Sequence, residues 1–499
     1  NYIDSLPDEL LYMVFDLLNL KSVKAASLTC RKWNNILFSS VYTNRFTFVI
    51  DAMKLIPSIP LSFVSRAKDL ASQALRVLAH TRRSYRNVRW SASSCMNLYN
   101  STIFTTIDQQ FANYLTRLEL SLDYSTTVDI FPRLVQTVPQ MSQLRTLQLK
   151  DSDWNSFCFS NQDIIPTLRS ETLRHLMVRS QFKFWVDLPQ LESFNGSLSV
   201  IDRPERILEP LAVPSLKFLT ISVAETDNEF KTRQPTVIRL LPPVEAMHWK
   251  VKLSSDEVFL TICESCTTLT ELGFHRSLCL SNIGVYSNLD KLINLRVLTI
   301  NDLKIADESP LDLDFSPLTK LEKLSLAAVV DSVTLPKSVQ MLELGVNQNN
   351  EQSMINTILD CSEQLKELVL SLCVELPEDM PTEMLKILPR LKNLVVLEIE
   401  NGYFGESTFL CLESPMERLR TLKLYEDHLR MYRFLQLKEK FPNLKELVIE
   451  SLEKVSKSTN PDLYSLSAAD FTSRSSRFGS SAEFESYFTS PSPSSSDSD

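Results

Sequence analysis

Four residues have the types that bind a metal: Cys263-x2-Cys266, His275 and Cys279. Thiolate and imidazole are the ordinary ligands of a structural zinc ion. The surrounding pattern argues for a plainer role. Cys266-Thr-Thr-Leu269 and Cys361-Ser-Glu-Gln-Leu365 put cysteine at nearly the same point ahead of two similar apolar segments, which is a packing position. His275 is expected just beyond a strand, facing away from a buried Cys263. The five histidines, His80, His175, His248, His275 and His428, show no paired spacing. A Ser-His-Asp or Cys-His set needs its members to meet only in space, and nothing in the sequence points to one. Seven glycines in 499 residues leave no phosphate-cradling loop of the GxGxxG or Walker type. The sequence assigns no catalytic residue, no cofactor and no metal.

The elements that must position any site are more legible. From about residue 85 a pattern recurs of apolar, two residues, apolar, one residue, apolar. Clear copies begin at Leu115, Leu144, Leu173, Leu191, Leu216, Val244 and Leu269, then at Leu295, Leu321, Val339, Leu365, Leu394, Leu419 and Leu444. The mean period is about 25 residues. Tyr85-Arg-Asn-Val88-Arg-Trp90 is a weaker copy, and Arg45-Phe46-Thr47-Phe48-Val49-Ile50 reads as a capping strand. The fourth and sixth positions of each unit alternate with period 2, so they point inward from a short strand. One unit cannot bury its own leucines, so the units must stack. The expected fold is α/β, a curved parallel sheet with a helical or irregular convex side.

The third, fifth and seventh positions then face the concave side, where such a solenoid meets ligands. The earlier units place Arg117, Lys150, Arg179 and Lys250 there, with His175, His248 and His275, and with Glu119 and Glu271 opposing. The later units place Glu343, Glu367, Glu398, Glu400 and Glu446 there, with Lys323 and Lys423 as exceptions. Charge therefore segregates along the arc. The basic zone should favour an acidic or phosphorylated part of a ligand, and the acidic zone a basic part.

The N-terminus has a different character. Ser5 is a candidate cap for a first helix, with Pro7 in its first turn and Asp8 at the capping-box position. Leu10, Val14, Leu17 and Leu18 fall at i, i+4, i+7 and i+8, and Leu11 and Phe15 widen that stripe. A second helix is expected around Val23 to Leu28, and Cys30, Trp33 and Leu37 line a third. So short a segment cannot bury this much apolar surface by itself. The surplus implies a partner.

Leu6-Pro7-Asp8-Glu9, Leu17-Leu18 and Arg31-Lys32-Trp33 together resemble the F-box, the motif by which adaptor subunits of cullin-RING ubiquitin ligases dock onto the Skp adaptor. The repeat units resemble leucine-rich repeats over residues 85–450. They depart from that family in lacking most of the asparagines that follow the strand; Asn347 fits the place and Cys373 offers the cysteine variant. The joint resemblance implies residues 1–44 as a three-helix F-box, 45–110 as a capping region with a first degenerate repeat, and 111–455 as the solenoid. It implies a substrate receptor that holds the Skp adaptor, and through it cullin, by Leu6, Pro7, Leu10, Val14, Leu18, Leu28 and Trp33. The solenoid would hold an unknown protein substrate, and the chain itself would not be an enzyme. A Skp-binding scaffold outside any ligase, or a plain leucine-rich-repeat platform, is the alternative.

Composition narrows the classes further. The net charge of −9 gives no support for nucleic-acid binding, and no apolar run reaches membrane-spanning length. Nine scattered cysteines fit reduced thiols in the cytoplasm or nucleus. The chain opens on Asn1 rather than Met, so an upstream piece is expected. Residues 456–499, serine-rich and poor in aliphatics, are expected to be disordered and open to phosphorylation.

Overall fold

The structure is a computed structural model of the 499-residue chain. It describes residues 6–38, 46–51, 63–81, 83–92, 97–151, 165–179, 184–202, 211–224, 228–306, 311–328, 330–372, 382–402, 404–405, 407–426 and 434–451. Ser5, Cys373 and the serine-rich tail 456–499 lie outside these residues.

Sixteen strands form one parallel sheet in which every strand neighbours the next in chain order. They are β1 (Thr47–Asp51), β2 (Asn87–Ser91), β3 (Arg117–Leu122), β4 (Thr146–Asp151), β5 (His175–Arg179) and β6 (Ser193–Gly196). Next come β7 (Phe218–Ile221), β8 (Ala246–Trp249), β9 (Glu271–Leu280), β10 (Val297–Ile305) and β11 (Lys323–Leu326). The arc ends with β12 (Met341–Val346), β13 (Glu367–Leu372), β14 (Val396–Glu400), β15 (Thr421–Glu426) and β16 (Glu446–Ser451). From β3 onward, each strand begins two residues after a leucine or valine that opens a repeat unit. The weak copy at Tyr85 supplies β2, and β1 closes the sheet beside it.

Burial explains the spacing. In β3, Leu118 and Leu120 are buried; in β10, Leu298 and Ile300; in β15, Leu422 and Leu424. Leu118 and Leu147 are in register on neighbouring strands, as are Leu298 and Leu324. Unit after unit, the fourth and sixth positions therefore stack into one continuous apolar core. Burying a leucine contributes roughly 1.5–3 kcal/mol, and stacking lets each unit share it with two neighbours.

The return segments depend on unit length. Most long units fold back as helices: α4 (Phe63–His80), α5 (Asn97–Phe111) and α6 (Tyr124–Thr137) early in the arc, then α7 (Asn228–Arg239), α8 (Asp256–Ser265) and α9 (Glu351–Asp360). In α8, Ser255 caps the first turn by accepting from Val258 N, Asp256 and Glu257 favour its positive end, and Val258, Phe259, Ile262 and Cys263 pack inward. The short units opening at Leu173 and Leu321 have no room for a helix. There the chain returns extended, Trp185–Asp187 pairing with Thr167–Arg169 and Ser332–Thr334 with Asp312–Asp314 of the units before.

The asparagine expected inside the turn is displaced. Asn350, not Asn347, is the buried one, and its Nδ2 donates to Val330 O at 2.9 Å and Gly345 O at 3.1 Å. Asn347 instead accepts from the backbone of Asn349 and Asn350. A second device is the asparagine just before a unit-opening leucine. Asn294 donates to Thr267 O at 3.1 Å and Asn443 to Glu417 O at 2.9 Å, each tying one unit to the one before.

At the N-terminal end, α1 (Asp8–Asp16), α2 (Leu20–Ser27) and α3 (Arg31–Leu37) enclose a small core of Leu11, Phe15, Val23, Ile36, Leu37 and Phe46. Pro7 precedes the helix instead of sitting in its first turn, and its carbonyl accepts from Leu10 N and Leu11 N, both at 3.2 Å. Cys30 caps α3, its Sγ accepting from Trp33 N at 3.4 Å, rather than lining the helix face. Phe46 carries this core to the sheet, and Tyr85 packs against both cores. Between α3 and the weak repeat, Phe38 lies 4.9 Å from Phe46, and the Arg83 guanidinium stands 3.5 Å over the Phe38 ring. The helices are continuous with the solenoid.

Candidate functional site

Two surfaces stand out, one on α1 and one along the concave face. On α1 the apolar stripe splits in two. Leu11 and Phe15 turn inward, while Leu10, Met13, Val14 and Leu17 stay 46%, 66%, 48% and 88% exposed, and Leu28 beyond α2 stays 84% exposed. Exposure on this scale in one place marks an interaction face. Of the seven residues expected to hold a partner, Pro7, Leu10, Val14 and Leu28 are exposed. Leu6, Leu18 and Trp33 instead pack partly against the small core. Trp33 meets Phe15 edge to face at 5.2 Å, so its first duty is to support the helix that presents Leu10 and Val14. Lys32 holds the start of the segment by donating to Leu6 O at 2.7 Å and pairing with Asp8 at 3.2 Å.

The concave face carries three separate charge groups. The first spans β2 to β5. Glu119 on β3 is buried and accepts from Arg89 Nε at 2.6 Å and Arg117 Nε at 2.7 Å. Burial pushes its carboxyl up, but the Arg89 hydrogen bond and the Arg117 and Arg89 charges outweigh that and hold it below the ordinary range. Lys150 on β4 lies in register with Arg179 on β5. Its ammonium is pushed down by burial, partly offset by Glu119, and further down by Arg179, Arg89 and Arg117. Lys150 and Arg179 thus come together, Arg117 is in register with Thr146 four residues before Lys150, and Lys250, just past β8, stands three strands away from Arg179.

The second group is a histidine pair that spacing did not show. His248 Nδ1 lies 3.1 Å from His275 Nε2, and His248 Nε2 lies 3.4 Å from Glu271 Oε1. Gly273, in register with His248, makes room: a Cβ there would come within 2.7 Å of one ring and 2.8 Å of the other. Sequence reading put His275 just after its strand, but β9 runs on to Leu280, so His275 lies within it, two residues past the register partner of His248 and on the same face. Burial, then His248 and Lys250, push His275 down to about 4, with Glu271 opposing. Burial and Lys250 lower His248 as well.

The third group lies on β12 to β16. Lys423 donates to Glu398 at 2.9 Å, so the exception to the acidic zone sits inside it. Ser371 donates to Glu400 at 2.6 Å and Ser325 to Glu343 at 2.5 Å. Burial raises Glu400 above the ordinary carboxylate range; the Ser371 bond works against this, and Glu343 and Glu398 add to it. Glu367 is half-buried at the start of β13, and Glu446 is exposed at the start of β16.

The described cysteines do not join any of these groups. Cys263 and Cys266 are buried at the α8 end, where burial pushes both thiols up to about 12. Neither offers a thiolate near neutral pH. Among the described residues no three His, Cys, Asp or Glu side chains are grouped to hold a metal ion. Among them, too, no helix is long and apolar enough to cross a membrane. Sequence reading also missed Arg89; its signal was the fifth position of the weak repeat at Tyr85.

Comparison with known proteins bears on the first surface. Residues 3–47 match the F-box-like family model. No curated protein matches the chain. Among solved structures, the mouse RP105/MD-1 complex is similar over 73% of this chain and 63% of that one, at 11% identity and a TM-score of 0.34. The chain thus spans less than two thirds of that neighbour's length. The reading of the fold rests on the chain's own strand register. The molecule combines an F-box-like domain, a type of module that implies a Skp-binding adaptor, with a leucine-rich-repeat-like solenoid.

Proposed function

We propose that this chain is the substrate-recognition subunit of a Skp–cullin–F-box ubiquitin ligase, working in the cytoplasm or nucleus. The observation that carries the reading is the divided first helix. Its Leu11–Phe15 side completes a core, and its Leu10–Val14–Leu17 side is left for another protein, in a segment that matches the F-box-like family. The Skp adaptor would cover that side and bring cullin with it. The concave face would hold a protein substrate, with the Arg117–Lys150–Arg179 zone and Lys250 toward its acidic part and Glu367, Glu398, Glu400 and Glu446 toward its basic part. Catalysis by this chain would then be positioning alone, raising the local concentration of substrate lysines at a bound E2 enzyme. Affinity capture of the full chain with the proteasome blocked tests this. Skp with cullin and ubiquitinated client proteins supports the ligase; Skp without cullin points to a scaffold outside it.

A further inference from the structure

Cys263 packs inward on α8, while His275, whose type also suggested a metal ligand, meets a second histidine on the concave face. The two rings meet nitrogen to nitrogen, His248 Nδ1 lying 3.1 Å from His275 Nε2. A tetrahedral ion bonded to two imidazoles at about 2.0–2.1 Å each sets their nitrogens about 3.3 Å apart. The pair already stands close to that spacing. Three features of the sheet hold it there. His248 on β8 and Gly273 on β9 are register partners, and His275 follows two residues later on the same face. A Cβ on Gly273 would lie 2.7 Å from His275 Nε2 and 2.8 Å from His248 Nδ1. The two nitrogens thus converge over the one residue type that leaves this space open, in a chain with 7 glycines among 499 residues. On the outer side, Glu271 Oε1 lies 3.4 Å from His248 Nε2. A carboxylate there keeps the proton on Nε2 and leaves Nδ1 as an acceptor, the arrangement that orients metal-bound histidines. The His248 side chain is 26% exposed, so solvent reaches the pair.

We propose that His248 Nδ1 and His275 Nε2 bind a divalent transition-metal ion of the zinc class, with Glu271 as the positioning residue behind His248. Such a site is independent of the docking reading, because it belongs to this chain alone. Imidazole nitrogen suits zinc, copper and nickel, whereas calcium and magnesium take oxygen ligands. In the metal-free pair, His275 Nε2 donates its proton to the His248 Nδ1 lone pair. The ion takes the place of that proton, which moves to His275 Nδ1, so both rings stay neutral and the ion keeps its charge. Lys250 acts on both rings as a neighbouring cation, and Glu271 opposes it at His275. No third His, Cys, Asp or Glu joins the pair among the described residues, so water fills the remaining positions. Structural zinc sites are closed by four protein ligands; this open pair suits an exchangeable ion.

Calorimetric titration of the full, tag-free chain with zinc tests this, with magnesium as the oxygen-ligand control. Wild type should take up one more zinc ion than either His248→Gln or His275→Gln, and magnesium should give no such difference. Copper(II) at one equivalent should show electron-spin coupling to two imidazole nitrogens in wild type and to fewer in each histidine variant. Glu271→Gln should weaken zinc uptake about tenfold while both nitrogens remain coupled. Gly273→Ala keeps every donor but fills the space beside the nitrogens, so it should lose the site; where it fails to fold, the histidine variants decide. Equal zinc uptake in wild type and both histidine variants overturns the proposal and puts the bound ion elsewhere. Absence of zinc uptake by wild type overturns it too, and leaves the pair as a hydrogen bond alone.

Discussion

Glu119 accepts the Nε–H of Arg89 at 2.6 Å across the step from β2 to β3. The bond joins the weakest repeat of the chain to its first clear one, and it does so on the ligand face. Because Glu119 is buried while Arg89 is half in solvent, removing the carboxylate leaves two guanidinium groups facing each other over apolar surface.

Glu119→Gln should therefore destabilise the fold by about 1–3 kcal/mol, the usual cost of losing a charged hydrogen-bond partner. The sign with pH follows from its lowered carboxyl. Its contribution is fully present above the ordinary glutamate value of 4.5 and is lost as pH falls through the lower folded value. Thermal melts of the wild type and Glu119→Gln should converge on acidification below that value. A constant gap down to strong acid would contradict the assignment.

The histidine pair gives a second, separate pH dependence. Both imidazoles are held below the ordinary value of 6.5, His275 down to about 4. The unfolded chain then binds protons that the folded chain does not, so stability is full above 6.5 and falls as pH drops toward 4. His275→Gln should flatten the melting temperature across that window. Gly273→Ala, whose Cβ would meet both rings, should cost about 1–3 kcal/mol and raise both imidazole values in an NMR titration. Unmoved titration curves in Gly273→Ala would mean that the rings are not coupled.

The join between helices and sheet predicts a third behaviour. Phe46 belongs to the small core, and Phe48 next along β1 packs on Tyr85 at 5.0 Å and Phe111 at 5.7 Å. Phe46→Ala should cost roughly 3–5 kcal/mol of local stability and expose the α1–α3 segment to limited proteolysis, while the solenoid survives. A variant as resistant as wild type would show that the helices stand without this contact.

Much of this was legible in the sequence, for a physical reason. Burial at the fourth and sixth positions is a period-2 signal repeated fourteen times, so the leucines from Leu115 to Leu444 predicted each strand start. The F-box stripe was legible as surplus apolar surface, but not its division into Leu11–Phe15 inside and Leu10–Val14 outside. That depends on where α2, α3 and Phe46 press. The concave charges were legible as positions and not as pairs. Lys423 on Glu398 and Arg89 on Glu119 are neighbours only through strand register. The His248–His275 contact is a diagonal between neighbouring strands, His275 lying two residues past Gly273, the register partner of His248, so it too shows only once register is known. Asn350 took the place expected of Asn347 because the turn extends three residues further before α9.

The central claim is that the outward side of α1 holds the Skp adaptor, and the affinity of purified Skp adaptor for three forms of the full chain tests it most directly. Leu10→Ala with Val14→Ala removes apolar groups that the fold leaves exposed. At about 1.5 kcal/mol for each partly exposed side chain, binding should weaken by roughly two orders of magnitude with the melting temperature unchanged. Glu398→Lys with Glu400→Lys, far along the arc, should bind Skp as wild type does. Wild-type affinity in Leu10→Ala/Val14→Ala, with the solenoid folded, would contradict the account and leave those two side chains to some other partner.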